Sequence, residues 1–339
     1  MRYIIPSVLT SLLALPALAE APRVVTDIPP VQSLAAIVLG DLGQPELLLE
    51  AGANAHNYQM RPSQVAALAD AGLVVWIGPE MTPWLARALD STTASASQLA
   101  LLTAPGTHTQ NFGAADEHDH GEEAEAGHDH DHESEQGHDH DQAAEAETEA
   151  GHDHDHAEEE EGHLHTGIDP HAWLDPANAA VWLAAIAAEL SRIDPDNATA
   201  YAANAKTGTE RIAALDASLK ARLAPIADKP FVVFHDAYGY FAGHYDLTVA
   251  GAISAGDAAS PGAAHLRELR AELGNSGTLC IFPEVRHDEK LAATMAADAG
   301  VKLGAPLDPE GASLPPGPET YGAILTGLAD TLLDCLADS

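Results

Sequence analysis

Between His108 and His165 the chain has almost nothing to fold with. Gly-His-Asp-His-Asp recurs at Gly127, Gly137 and Gly151, and the stretch from Asp116 to Glu161 carries 21 acidic residues with no Lys or Arg. Ordering a backbone costs roughly 1–2 kcal/mol per residue, and a segment this polar buries too little apolar surface to offset that. The expectation is a disordered loop, so any fold must be assembled from the sequence on its two sides. The loop's composition still carries chemistry. Thirteen of the 19 histidines lie in it. Imidazoles alternating with carboxylates make many weak, interchangeable sites, suited to zinc, copper or nickel rather than to magnesium or calcium. A solvated acidic linker has no need of histidine.

The formal charge of −37 is concentrated in this tract; elsewhere acids outnumber the 15 Lys and Arg by about two to one. An acidic surface excludes nucleic acid as a partner, because a phosphate backbone is bound by clustered bases, and it attracts cations. At the N-terminus, Arg2 precedes an apolar run from Ile4 to Leu18 that is too short to span a bilayer, and Ala17-Leu18-Ala19 has the form of a cleavage site. Residues 1–19 therefore read as a secretory signal peptide, and the mature protein as soluble and exported. In an oxidising compartment, Cys280 and Cys335 are expected to form one disulfide rather than remain two buried thiols. That link stabilises by roughly 3–4 kcal/mol on the loop-entropy argument.

The segments around the loop alternate between strand and helix patterns. Arg23 to Asp27 reads as a short strand, and Pro29-Pro30 opens a helix through Leu42. A polar loop from Gly52 to Tyr58 carries His56. Leu73 to Ile77 is a continuous apolar run of the kind a buried parallel strand shows. A short helix at Pro83 to Leu89 and a strand at Ala100 to Thr103 follow. Beyond the loop, Pro176 starts one helix. Asp194-Pro195 starts a longer one to about Ala224, with Tyr201, Ile212, Leu215, Leu219 and Leu223 as its apolar stripe. Phe231 to Phe234, Thr248 to Ala252, Leu279 to Phe282 and Val301 to Leu303 read as strands, with helices at His265 to Leu273, Asp288 to Ala297 and Tyr321 to Leu336. The architecture is α/β.

Three histidines outside the tract, His56, His171 and His235, lie in loops or directly after a strand. Open α/β sheets bind ligands beyond the carboxyl ends of their strands, and His235 follows the Phe231 to Phe234 run. Neutral imidazole is the commonest metal-ligating side chain, and three of them with an oxygen make a reasonable zinc site. Asp308, in Pro306-Leu307-Asp308-Pro309-Glu310-Gly311, is the candidate fourth ligand; a water is the alternative. His244, His265 and His287 have no comparable context and read as surface residues. Trp76, Trp173 and Tyr58 read as packing. Asp169 and Asp175 read as turn or capping residues.

Several runs are specific in combination: Asn54-Ala55-His56-Asn57-Tyr58 with Arg61-Pro62-Ser63, Leu73 to Met81, Asp169-Pro170-His171-Ala172-Trp173-Leu174-Asp175-Pro176, Val233-Phe234-His235-Asp236-Ala237-Tyr238-Gly239-Tyr240-Phe241, and Leu307 to Gly311. Through them the chain resembles the ZnuA-type periplasmic zinc-binding proteins of bacterial zinc ABC transporters, within the metal-binding cluster of solute-binding proteins. The His-rich insertion and the cysteine pair also look like the zinc subgroup. The resemblance implies two α/β lobes, each with a mostly parallel sheet and flanking helices, joined by one long helix with the metal in the interlobe cleft. Its boundaries are an N-terminal lobe at 22–178 containing the 108–165 loop, a linking helix at 195–224 and a C-terminal lobe at 230–339. It implies zinc, bound as cargo, on His56, His171 and His235, and docking of a monomer onto an inner-membrane zinc ABC permease. One departure stands out: some zinc members have Glu directly before the first ligand histidine, where this chain has Ala55, so the fourth ligand is left to Asp308 or water.

The function so implied is capture of zinc in the periplasm and delivery to the permease, with the His-rich loop as an auxiliary gathering arm. The linking helix should limit hinge motion between the lobes, so that release proceeds by local loop changes. The alternatives are an exported zinc buffer or chaperone and, further off, a zinc hydrolase. A hydrolase needs a general base beside its metal, and no H-E-x-x-H or similar helical pair is present. The protein is expected not to be an enzyme.

Overall fold

The computed structural model describes residues 21–91, 96–112, 167–254, 261–273 and 277–337. The signal peptide expected at 1–19, and the His-rich loop apart from its first residues, lie outside the described residues.

Two four-stranded sheets are built to one plan. In the first, β1 (Val24–Thr26), β2 (Glu46–Leu47), β3 (Leu73–Trp76) and β4 (Ser97–Ala100) stand in the order β2-β1-β3-β4, all parallel. In the second, β5 (Phe231–His235), β6 (Val249–Ser254), β7 (Cys280–Ile281) and β8 (Lys302–Leu303) stand in the order β6-β5-β7-β8, again parallel. Every residue of β1, β3 and β5 is buried, which is why these strands read as unbroken apolar runs and not as alternating ones. Near Ala100 the structure differs from expectation. The strand ends at Ala100, and Leu101–Thr103 wind into a short 3-10 turn. Leu101 and Leu102 are core residues, so their apolarity marks packing at a turn, while the strand itself is a sheet edge that tolerates Ser97 and Gln98.

Helices cover both sheets. α1 (Pro29–Leu39), α2 (Pro62–Ala69) and α3 (Pro83–Ser91) belong to the first half. α4 (Pro176–Ile193) and α5 (Ala198–Leu223) follow, and α6 (Gly239–His244), α7 (Ala263–Leu273), α8 (Glu289–Ala299) and α9 (Thr320–Leu336) complete the second half. Proline opens α1, α2 and α4, where its missing N–H costs nothing. None of the described helices is long and apolar enough to cross a membrane.

The 26 residues of α5 reach about 39 Å at 1.5 Å per residue, so this helix runs between the lobes. It packs on α1, α4 and α9 through Tyr201, Ala205, Gly208, Ile212, Leu219 and Leu223. Gly208 lets α1 come close: a Cβ there would meet Ile37 Cγ2 at 2.5 Å. One apolar core runs continuously from Val24 through α1, α4 and α5 to Leu336 and draws on both lobes. Two smaller clusters, around Val74 and Trp84 and around Val232 and Met295, lie on the other faces of the two sheets. Cys280 of β7 and Cys335 of α9 form the expected disulfide.

Candidate metal centre

His171 stands at the start of a 3-10 turn, Ala172–Leu174, directly before α4. Asp169 positions it twice over: its Oδ1 accepts the His171 backbone N–H at 2.9 Å and lies 2.7 Å from the ring Nδ1. Trp173 fixes the turn against the opposite lobe. Its indole N–H donates to the Pro309 carbonyl at 2.8 Å, and Tyr321 donates to the Trp173 carbonyl at 2.9 Å.

His235 is the last residue of β5, at the carboxyl end of the strand. Its Nδ1 lies 2.6 Å from Glu284 Oε2, which also accepts from the Tyr238 hydroxyl at 2.9 Å. Both partners are buried. A carboxylate has no proton to give, so at both histidines Nδ1–H is the donor, and in the neutral ring Nε2 carries the lone pair. This is the arrangement that second-sphere carboxylates impose on metal-binding imidazoles.

The two Nε2 atoms face each other at 3.5 Å. Two zinc–nitrogen bonds of about 2.0–2.1 Å at a tetrahedral angle put their nitrogens roughly 3.3–3.4 Å apart, so His171 and His235 are spaced as two ligands of one ion. Two lone pairs so close repel each other and favour a cation between them. The His56 ring lies next to His171, with centroids 5.4 Å apart, against 5.3 Å for His171 and His235. Its loop is shaped by Asn54, whose Oδ1 accepts the N–H groups of His56 and Asn57, and by Trp84, which donates to the Ala55 carbonyl at 2.6 Å. The chain thus brings the three sequence-predicted histidines together from a loop, a turn and a strand end. Among the described residues, however, no three His, Cys, Asp or Glu side chains are already drawn into a metal-holding group. His171 and His235 are spaced for a metal, and His56 is adjacent but not converged.

Asp308 is occupied in its own loop. Its Oδ1 accepts from Ala312 N at 2.8 Å, and its Oδ2 from the N–H and hydroxyl of Ser313 at 2.9 and 2.5 Å. Gly311 makes the turn possible with a φ of 71°, where a Cβ would also press on Ile324. The carboxylates found beside the imidazoles are instead Asp169 and Glu284, neither of which the sequence reading assigned to the site. Only position marks them, and it does not set them apart from ordinary turn residues: Asp169 stands two residues before a ligand candidate, and Glu284 follows the strand next to β5.

Two histidines expected at the surface are engaged. His244 bridges Asp175 and Asp216, at 3.1 and 2.8 Å. The bond to Asp175 raises its pKa against the pull of burial, and Asp216 adds to the rise. Burial works to raise the pKa of Asp175, but its bonds with His244, His108 and the Ala177 N–H outweigh this and hold the carboxyl below its ordinary range. Asp175 is also the N-cap of α4, as expected. His287 packs on Phe234 with its Nε2 3.6 Å from Glu284. His265 is exposed. The first residues of the His-rich segment are anchored at the site. His108 bonds Asp175 at 3.0 Å, Gln110 Nε2 donates to Asp169 Oδ2 at 3.2 Å, and Asn111 pairs with Ile168.

Residues 24–335 match the family described as "Zinc-uptake complex component A periplasmic". The chain is 52% identical over 323 residues to the high-affinity zinc uptake system protein of Paracoccus denitrificans, covering 95% of this chain and 94% of that one. It is 39% identical over 321 residues to the protein of the same description from Brucella suis, covering 94% and 92%. Among solved structures, a zinc-bound ZnuA deletion mutant superposes with a TM-score of 0.68 at 24% identity, covering 93% of this chain and 98% of that one. At that identity the structural likeness speaks for the fold: two parallel-sheet lobes with a long helix between them.

Proposed function

The chain belongs to the ZnuA family of periplasmic zinc-uptake components, and from that premise we propose that it captures zinc in the periplasm and hands it to an inner-membrane ABC permease. It does so as a monomeric carrier that performs no chemistry on its cargo. The observation that carries the proposal is the pair of imidazole Nε2 atoms facing each other at 3.5 Å, each ring held from behind by a buried carboxylate. His171 and His235 are assigned as zinc ligands, and His56 as the third, supplied by a loop that closes onto the pair. The fourth position goes to Asp308 or to a water. Asp308 already accepts three hydrogen bonds and reaches the ion only with its remaining acceptor capacity, whereas a water needs no rearrangement.

The His-rich arm at 108–165 is proposed to gather zinc at weak sites and raise its concentration near the cleft. The lobes are taken to run over 22–178 and 230–339, joined by the helix at 195–224. Since the core is continuous across both lobes, uptake and release work through loops at the cleft and not through opening of the whole molecule. Calorimetric titration of the mature protein tests this reading. One tight zinc site is expected, and it should persist when residues 117–162 are deleted while the weak sites disappear. A deleted protein without any tight site would make the molecule a zinc buffer instead.

A further inference from the structure

Among the described residues, Asp246 and Arg286 are the two non-glycine positions with positive φ, and Arg286 sits at 76°. A long side chain in that region is strained, and the strain persists only where the surroundings hold it. The surroundings of Arg286 are specific. Its guanidinium donates through one nitrogen to the Ala53 carbonyl and through the other to Glu310 Oε2 at 2.6 Å. Glu310 is buried, and the arginine is partly buried with 17% of its side chain exposed. Ala53 belongs to the N-terminal lobe, three residues before His56, whereas Arg286 and Glu310 belong to the C-terminal lobe. Glu284, two residues before Arg286, holds the His235 ring, and the intervening Val285 N–H donates to the Leu307 carbonyl at 2.9 Å. One short segment therefore orients His235 on its own lobe and grips the His56 loop of the other.

The His56 loop needs such a grip. Beside it lies a cavity of about 210 Å3, lined by Leu47, Leu49, Glu50, Gly52, Arg286 and Glu310. The loop is packed at Ala55, which is fully buried, but at its start, Gly52, it borders that space, and the arginine stands at the edge of the space. Its charge is matched by Glu310, so an incoming cation does not face an uncompensated guanidinium. We propose that Arg286 is a positioning residue for zinc retention, a latch between the lobes that holds the His56 loop against the His171–His235 pair and so slows zinc escape. This rests on the reading of His56 as a ligand. A lysine replaces it only in part, since an ammonium lacks the planar fork that reaches a carbonyl and a carboxylate together.

The test is zinc release into excess chelator, followed by stopped flow on the full mature chain and on variants. Arg286→Ala is expected to speed release about tenfold, the scale of losing a charge-assisted hydrogen bond, and to change association little. Arg286→Lys should recover only part of that. In a His56→Ala background, Arg286→Ala should add nothing, because the loop it positions no longer carries a ligand. Unchanged release in Arg286→Ala, or equal acceleration in both backgrounds, overturns the latch while leaving the ligand reading intact. If His56→Ala alone leaves release unchanged, the ligand reading itself fails and the latch goes with it. Should Arg286→Ala not fold, Glu310→Gln serves in its place, with faster release supporting the latch and unchanged release opposing it.

Discussion

In both lobes the first strand of the sheet stands second in spatial order, and in both it leads into a buried polar side chain: Asp27 directly after β1, and His235 as the last residue of β5. The two side chains have opposite partners. Asp27 turns inward, accepting from Ile28 N at 2.8 Å, Ile77 N at 2.9 Å and the Thr82 hydroxyl at 3.2 Å, all within its own lobe. His235 turns toward the cleft, with Glu284 behind it and His171 of the other lobe in front. One topology therefore yields a brace in one half and a candidate ligand in the other. The N-terminal lobe has committed its central strand end to bracing, so it must offer histidines from connections further along, His56 in a loop and His171 in a turn. The proposed site is one donor on a strand and two on irregular backbone.

Substitutions at the two ends and at their partners differ in their consequence for zinc. His235→Ala removes the strand-borne donor and is expected to have the largest effect, well beyond the 10- to 100-fold typical of losing an orienting partner. Competition titration against a chelator of known affinity reads it. A loss smaller than tenfold would mean that the two loop-borne histidines suffice and that the strand end is not special.

Next come the orienting carboxylates, one per lobe. Asp169→Asn and Glu284→Gln each keep an acceptor for Nδ1–H but remove the charge, and each should cost about tenfold in zinc affinity. Near-equal losses mean that the two halves hold their imidazoles in the same way. A much larger loss in Asp169→Asn would instead show that Gln110 and the base of the His-rich segment, bonded to the other oxygen of Asp169, matter as much as the ring itself.

The disulfide is a third asymmetry. Cys280–Cys335 ties the second sheet to α9 across 55 residues, and no cysteine falls in the first lobe. Cys335→Ser paired with Cys280→Ser should lower unfolding stability by about 2–5 kcal/mol and leave zinc affinity nearly unchanged, because neither cysteine touches the imidazoles. Urea unfolding with and without reductant measures the first, and chelator competition the second. A large drop in affinity would show that the position of β7, and with it Glu284, depends on the staple.

How much of this was readable in the sequence follows the same division. The strands buried on two sides announced themselves as apolar runs, as Leu73 to Trp76 and Phe231 to Phe234 did, and the proline-started helices came through at their N-termini. Edge elements did not: β4 lies over Ser97–Ala100 and not over the leucines after it, because an edge strand needs no apolar signature. At the candidate site, His56, His171 and His235 were singled out by their place in loops or after a strand and by the family runs around them. Their carboxylates were not, because Asp before Pro and Glu after a strand are ordinary turn residues until the fold sets a ring beside them. Arg286 was beyond reach for a related reason: its partners are 233 and 24 residues away, and nothing local marks a backbone with positive φ.

The smallest expected effect on zinc belongs to Asp27, and its own signature is in pH. Burial pushes its carboxyl up to about 7, against the three donors that favour the charged form. The folded protein thus binds this proton more tightly than the unfolded chain, whose carboxyl titrates near 3.8. Below both values the group is protonated in either state. As pH rises through that window only the unfolded chain gives up the proton, so stability falls by roughly 1.4 kcal/mol per pH unit, and the fall ends above the folded value. Thr82 can serve both forms, accepting the Asp27 proton while its own hydroxyl donates to the Gly78 carbonyl at 3.4 Å. Asp27→Asn cannot titrate. Its unfolding free energy, subtracted from that of the wild type at each pH, should expose that slope between about pH 4 and pH 7 with no change in zinc affinity. A flat difference would mean that the three donors keep Asp27 ionised. A change in zinc affinity would mean that the brace and the candidate ligand are coupled through the continuous core, and the contrast between the two strand ends would then be one of degree.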